Sequence, residues 1–154
     1  MRKRWLAACA AACLITASGS VTVQAGDTPS PAASVMRMLQ SGRVPPERAG
    51  TLVELVCRRG TEEDLAYLFE QTTKPDGYTG KLRLETLNTL AETMRTRELK
   101  PSGSLEGLSK LLAPEDKSVD LRTRLAALEL VGLWQVTSLT GTLEELALAP
   151  ETPR

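Results

Sequence analysis

The stretch Asp120-Leu121-Arg122-Thr123-Arg124-Leu125-Ala126-Ala127-Leu128 opens the most regular part of the chain. Apolar positions continue beyond it, and Leu128, Val131 and Gly132 are three, then one residue apart. Positions spaced in this way fall on one face of an α-helix. The stretch therefore predicts an amphipathic helix whose apolar face is buried against neighbouring helices.

The same arrangement occurs twice more. Arg48 and Arg83 each precede an apolar stripe of the same spacing, with the members Leu52, Leu55 and Val56 or Leu87, Leu90 and Ala91. A further stripe follows each of the three, beginning at Leu65, Leu105 and Leu143. Helix pairs that recur at a period near 40 residues are typical of stacked helical arrays. We therefore expect an all-α fold, a right-handed α-solenoid of about three antiparallel hairpins over residues 44–74, 79–114 and 119–150.

Local signals set the expected helix ends. Pro45-Pro46-Glu47 favours a helix start, because proline fits the first turn and a carboxylate stabilises the positive end of the helix dipole. This helix is expected to run to about Arg58, with Gly60 as its stop. Thr61 and Asp64 have the spacing of a capping box for the next helix. In the third hairpin, the turn is expected at Thr140-Gly141.

The first 25 residues have the pattern of a secretory signal peptide. Arg2-Lys3-Arg4 precedes an apolar run over residues 5–15, and Val23-Gln24-Ala25 supplies the small residues of a cleavage site. The prediction is an exported protein, periplasmic or secreted, without stable membrane insertion after cleavage. A retained anchor or lipid attachment at Cys9 are the alternatives. Residues 26–43 read as a linker, in which residues 34–39 could form a helical turn or two.

Charge and cysteine content limit the partners. The whole chain has 19 basic and 19 acidic residues. Removal of the predicted leader takes away three basic residues and no acidic one, which leaves 16 basic and 19 acidic residues. A nucleic-acid binder needs a basic surface to neutralise phosphates, so nucleic acid is not an expected partner. Cys57 becomes the sole cysteine and cannot form an internal disulfide. It is expected to pack as a small apolar residue, or alternatively to pair between chains.

The third unit resembles a known repeat family. Its run from Asp120 to Leu128 is similar to the opening of HEAT repeats, and Asp120 and Arg124 match in spacing the Asp and Arg that form hydrogen-bonded ladders between adjacent units of that family. The resemblance implies an inter-repeat structural role for Asp120 and Arg124, and for Arg48 and Arg83 at the matching positions. Neither of the latter has an acidic residue four positions earlier, so the ladder pattern is complete in the third unit alone.

A narrower likeness covers residues 45–150. The runs 54–60, 64–71 and 130–134 resemble the HEAT segment of exported planctomycete-type multidomain proteins. In those proteins, the segment accompanies a sugar-dehydrogenase-like propeller and a c-type cytochrome domain. The resemblance implies, as an alternative function, the HEAT segment of a periplasmic electron-transfer protein. Haem attachment needs Cys-x-x-Cys-His, and the chain contains no histidine.

The lack of histidine also argues against most enzyme chemistry. It removes the commonest general base and the usual zinc ligand, so we expect no catalytic residues, no metal and no cofactor. A small hydrolase that uses carboxylates is the second alternative. Its candidates are Glu62-Glu63-Asp64 and Glu144-Glu145, although acidic residues also stabilise the first turn of a helix.

The expected function is a scaffold or protein-binding module. In a curved array, second helices line the concave surface, and their polar residues are the candidate contacts: Tyr67, Glu70, Glu106, Lys110 and Glu144. The partner would be another protein or further domains of the same chain. The C-terminal end lacks a polar capping repeat, which also predicts self-association through that end.

Overall fold

The computed structural model describes residues 32–113, 116 and 118–148. Within these residues, the chain forms seven α-helices and no strand, so the all-α prediction is confirmed. The helices are Ala33–Gln40 (α1), Pro46–Arg59 (α2), Glu62–Thr73 (α3), Gly80–Arg97 (α4), Gly107–Leu112 (α5), Leu121–Leu133 (α6) and Thr140–Leu148 (α7). The predicted signal peptide, the alternative lipid site at Cys9 and the start of the predicted linker lie outside the described residues. None of the described helices is long and apolar enough to cross a bilayer.

Two helix boundaries follow the local chemistry of the sequence. Pro46 is the first residue of α2, and Gly60 ends that helix with its N–H on the Val56 carbonyl. Thr61 and Asp64 form the predicted capping box: the Asp64 N–H donates to Thr61 Oγ1 at 3.4 Å, and the Thr61 N–H donates to Asp64 Oδ2 at 2.9 Å. These predictions are confirmed.

The helices pack in two layers. Helices α2, α4 and α6, the first helices of the predicted hairpins, lie side by side in chain order. Helix α3 packs against α2 and α4 and also against α5, which in turn packs against α6. The second helices α3 and α5 therefore form a layer of their own. The right-handed winding of a solenoid stays a prediction.

The buried faces agree with the predicted stripe in α4, but only in part in α2 and α6, where Val56 and Val131 are buried. Leu87, Leu90 and Ala91 are buried. Leu55 and Leu128, by contrast, are each 37% exposed, and Gly132 is exposed. The prediction that these three are buried was wrong. The core instead contains Val53 of α2 and Ala127 and Leu130 of α6. Both helices carry apolar residues on more than one side, and spacing alone does not show which side is buried.

The predicted turn at Thr140-Gly141 was also wrong, because α7 begins at Thr140. Helix α6 ends earlier, at Leu133, and just beyond it Gln135 adopts a positive φ of 53° and the Val136 N–H donates to the Val131 carbonyl at 3.1 Å. Trp134 fixes this position, since its buried ring meets Phe69 edge-on at a centroid distance of 5.5 Å. The α7 helix buries none of its residues fully.

The short helix predicted at residues 34–39 is present as α1. Its Met36 and Leu39 are buried in the core, and the helix packs against α2. The later part of the segment read as a linker therefore contributes to the packed core.

Arg97 connects the ends of two helices that are distant in sequence. Its Nη1 donates to the Cys57 carbonyl at 2.5 Å, and its Nη2 donates to the Gly60 carbonyl at 2.9 Å. The last carbonyls of a helix have no partner within the helix and carry its negative dipole end. Arg97, the last residue of α4, therefore caps the C-terminus of α2.

Asp120 caps α6, and this contact gives a testable pH dependence. Its Oδ1 accepts the Thr123 N–H at 2.7 Å, and this bond holds the pKa of Asp120 below its usual range. A carboxyl whose pKa is lowered on folding stabilises the protein above its unfolded pKa, near 4, and loses that effect as pH falls through the folded value. We expect Asp120→Ala to lower the melting temperature by a few degrees at pH 7 and by less at pH 3.

The control for this prediction is Asp120→Asn. The amide oxygen still accepts the Thr123 N–H but does not titrate, so this variant is expected to keep most of the stability at pH 7. Melting curves followed by circular dichroism between pH 3 and pH 7 measure both effects. An equal loss for Asp120→Ala at both pH values would contradict the proposed contribution of the ionised carboxylate.

Candidate functional site

A groove of about 710 Å³ lies between α3 and the segment that leads into α5. We call it the α3–α5 groove. One wall comes from α3 and the other from residues 102–110. The lining residues are Glu63, Ala66, Tyr67, Phe69, Glu70, Thr73, Ser102, Ser104, Glu106, Gly107, Ser109 and Lys110. This volume is in the range of pockets that hold small molecules or a short stretch of peptide.

Close contacts at both ends join the two walls. At one end, the Ser102 N–H donates to the Glu62 carbonyl in the first turn of α3 at 3.1 Å. At the other end, α5 begins at Gly107 directly against Thr73, and a Cβ atom on Gly107 would lie 2.8 Å from Thr73 Cγ2. The lack of a side chain at Gly107 therefore permits this close approach. The shape of the groove therefore follows from the packing of residues 102–110 against α3.

Tyr67 and Phe69 supply the aromatic part of the groove. Phe69 is buried, and its ring contacts the ring of Trp134 edge-on. Tyr67 is half-buried, and this partial burial raises the pKa of its hydroxyl above the usual value. The Tyr67 hydroxyl is therefore protonated at neutral pH and can donate a hydrogen bond.

The charged residues that line the groove are mostly acidic. Glu63, Glu70 and Glu106 contribute carboxylates, and Lys110 contributes the one ammonium group among the lining residues. Glu70 also forms an ion pair of 2.9 Å with Lys74 on the next turn of the chain. The groove thus offers a negative surface with hydroxyl groups from Ser102 and Ser104 beside an aromatic face.

The structure brings together four of the five residues predicted as surface contacts. Tyr67, Glu70, Glu106 and Lys110 all line the α3–α5 groove, whereas Glu144 lies exposed on α7. Glu63, Ser102 and Ser104 also line the groove, although the sequence pattern did not indicate them as surface contacts. Glu63 has the pattern of a residue in a first helical turn, and serines in a loop carry no periodic signal.

The residues predicted to join adjacent repeats have different surroundings. Arg48 is exposed on α2. Arg83 is only 7% exposed, and its Nε donates to the Tyr78 carbonyl at 2.7 Å. Arg124 Nη2 donates to the Asp116 carbonyl at 2.8 Å, while Asp120 serves as the helix cap. The Asp120 and Arg124 side chains thus have different partners.

Asp116 lies near two of these arginines, Arg83 and Arg124. Its carboxylate accepts the Ser118 N–H at 2.9 Å and the Ser118 hydroxyl at 2.6 Å. The Ser118 bonds, and then the charges of Arg83 and Arg124, hold the pKa of Asp116 below its usual range. Arg83 belongs to the second predicted unit and Arg124 to the third, so Asp116 lies at the junction of the two units. Sequence reasoning missed Asp116.

A second cleft, of about 590 Å³, lies between α2 and α4 and includes Cys57. Cys57 is 1% exposed, and burial raises the pKa of its thiol to about 11. The thiol is therefore protonated at neutral pH and unreactive. The prediction that Cys57 packs as a small apolar residue is confirmed, and in the folded chain its burial prevents contact with a thiol of another chain.

The acidic clusters considered for hydrolysis lie in α3 and α7. Glu62, Glu63 and Asp64 form the first turn of α3, as predicted. Glu144 and Glu145, however, lie beyond the first turn of α7, which begins at Thr140, so that part of the prediction was wrong. Across the part of the chain that the structure describes, no group of three acidic, cysteine or histidine side chains is placed to hold a metal ion.

Comparison with known proteins leaves the family of the chain open. No family model matches it, and no curated protein or solved structure is significantly similar. The HEAT-like character of the repeats therefore stays a prediction that rests on the sequence pattern.

Proposed function

We propose that the chain is a non-catalytic binding module of HEAT-like helix hairpins, and that the α3–α5 groove binds a peptide segment of a protein partner. One observation carries the proposal: Tyr67, Glu70, Glu106 and Lys110 were selected as contacts from the sequence and line one groove. The layer of second helices is the surface with which helical arrays of this type commonly bind their partners. Export of the protein is part of the proposal.

The charges of the groove favour a basic peptide. The three lining carboxylates, of which Glu70 is already paired with Lys74, outnumber the one lining ammonium group and attract lysine or arginine side chains. The ring of Tyr67 provides a rigid apolar surface with a polar tip, which is the kind of residue that dominates the affinity of many interfaces. Backbone groups of an extended peptide could bond to the hydroxyls of Ser102 and Ser104. We therefore propose a short extended segment with one or two basic residues as the ligand.

Selection from a random peptide library tests this function. The chain is immobilised, bound peptides are enriched, and the best ones are synthesised and titrated by isothermal calorimetry. We expect peptides rich in lysine and arginine, with an affinity that falls as salt is raised. Tyr67→Ala is expected to weaken binding by roughly tenfold or more, and Glu106→Gln by roughly two- to fivefold.

Glu144→Gln is the matched control. It makes the same chemical change as Glu106→Gln at a residue that was predicted as a contact but lies on α7, outside the groove. Binding to this variant should be unchanged. The proposal fails if the selected peptides bind Tyr67→Ala and Glu106→Gln as tightly as the original chain, or if Glu144→Gln has the largest effect.

A further inference from the structure

Helix α6 carries a second apolar face, opposite the one that enters the core. Its inner face buries Thr123, Ala126, Ala127, Leu130 and Val131. On the outside, Leu121 is 63% exposed, Leu125 is 56% exposed and Leu128 is 37% exposed. Gly132 continues this line and has no heavy atom within 4 Å of where a Cβ would lie. We call these four residues the outer α6 stripe.

The stripe is too regular to be scattered surface exposure. Its members are four, three and four residues apart, which keeps them on one side of the helix over about 16 Å. Three of the six large apolar side chains exposed among the described residues belong to it. A surface helix of a globular domain normally has one apolar face, towards the core, and α6 has a second one on the opposite side. The outer α6 stripe therefore has the properties of an interface.

The charges beside the stripe identify what covers it. Arg122 and Glu129 are both exposed and lie on the same flank of α6, about 90° from the stripe. A two-fold axis across two antiparallel copies of α6 brings matching flanks together. If residue 122 of one copy is level with residue 129 of the other, each Arg122 faces a Glu129, and two symmetric ion pairs form. Glu129 also pairs with Arg95 of α4 through one carboxylate oxygen, and a carboxylate can accept from two arginines at once.

The same register fits the leucines. With the ~1.5 Å rise of an α-helix, Leu128 then lies level with the midpoint between Leu121 and Leu125 of the second copy. Leu121 lies level with the midpoint between Leu128 and Gly132 of that copy, where the glycine leaves room for it. One register therefore satisfies both the apolar interdigitation and the charge pairing.

We propose that the outer α6 stripe pairs with the same stripe of a second copy of the chain, antiparallel about a two-fold axis. The contact is closed, because each copy uses the same surface and no further copy can add to it. It is also small for a stable dimer, so we expect reversible association with a dissociation constant on the order of 10–100 μM. The pairing does not involve the α3–α5 groove and is independent of the function proposed for it.

Sedimentation equilibrium tests the pairing on the chain expressed from its full sequence. From about 1 μM to about 1 mM, the mean mass is expected to rise from close to one protomer towards two. Leu125→Lys should remain a monomer throughout, with a circular dichroism spectrum and melting temperature close to those of the original chain, because this position is exposed. A monomer at all concentrations, or a mass that rises past two protomers, would overturn the proposal.

A charge exchange tests the antiparallel register itself. In Arg122→Glu, carboxylates face each other at both ends of the pairing, and in Glu129→Lys, cations do so, hence each variant alone should associate roughly tenfold more weakly. Mixed in equal amounts, the two variants should associate again, since every facing pair is then opposite in charge. If Arg122 and Glu129 of the two copies do not face each other, the two variants cannot complement each other in this way. Failure of the mixture to recover association therefore overturns the antiparallel register.

Leu55→Lys is the matched control for Leu128→Lys. Both leucines are 37% exposed and both lie on a helix of the same layer, but Leu55 is on α2. Leu128→Lys is expected to weaken association roughly tenfold, and Leu55→Lys to leave it unchanged. Equal effects of the two substitutions would show that general apolar exposure, rather than the outer α6 stripe, drives the association, and would overturn the proposal.

Discussion

Replacement of Leu87 by alanine is expected to lower the free energy of unfolding by about 2–5 kcal/mol. Leu87 is fully buried in α4, the middle helix of the layer formed by α2, α4 and α6. Truncation of its side chain removes apolar contacts and leaves a cavity, because the surrounding helices can close around the site only in part. A loss of this size is a large fraction of the stability of a small domain. Urea denaturation followed by circular dichroism measures it.

Leu121→Ala is the control for this experiment. The substitution removes the same atoms, but Leu121 is 63% exposed on α6. At low micromolar concentration, where self-association is negligible, its effect should stay within about 0.5 kcal/mol. If the two variants were equally stable, α4 would not have the central packing position that the structure gives it.

Replacement of Arg83 by methionine is the second substitution with a large expected effect, about 1–3 kcal/mol of unfolding free energy. Methionine preserves most of the buried aliphatic length but cannot donate a hydrogen bond. The Tyr78 carbonyl, which accepts from Arg83 Nε at 2.7 Å, would lose this donor in a partly buried position. The charge beside Asp116 would be lost as well. Thermal and urea denaturation at pH 7 measure the change.

Arg48→Met provides the comparison, since Arg48 occupies the matching position of the first predicted unit. Arg48 is exposed on α2, so its replacement is expected to change stability by less than about 0.5 kcal/mol. Similar losses for Arg48→Met and Arg83→Met would mean that sequence position, rather than burial and hydrogen bonding, determines the contribution of these arginines. Arg83→Lys should recover part of the stability, because an ammonium group retains the charge but lacks the guanidinium geometry.

Local chemistry made the helix ends of the first hairpin predictable. Proline at the start of α2, glycine at its end and the Thr61–Asp64 capping box act within a few residues, so they need no knowledge of the fold. The choice of buried face is different in kind. It depends on which side of a helix meets its neighbours, and in α6 both sides are apolar. The exposure of Leu128 could not be read from spacing for this reason.

The candidate site was predictable in part for the same reasons. Tyr67 and Glu70 are on α3 beside its buried leucine stripe, so their outward position followed from helix periodicity. That Glu106 and Lys110 lie across from them depends on how closely α5 approaches α3, which Gly107 permits through its contact with Thr73. A glycine in a sequence does not reveal which side chain will pack against it. Asp116 was missed because its role comes from arginines of two different units.

Arg97 has a consequence for the order in which the chain can complete its structure. The two carbonyls that it binds belong to residues 57 and 60, which are 40 and 37 positions earlier. As the chain is synthesised, the first hairpin emerges with these carbonyls bonded to water and gains their final donor only when the last turn of α4 has formed. Because these two bonds link the end of α2 to the end of α4, we expect the amide hydrogens at the two ends to exchange with solvent at similar rates, as measured by hydrogen exchange.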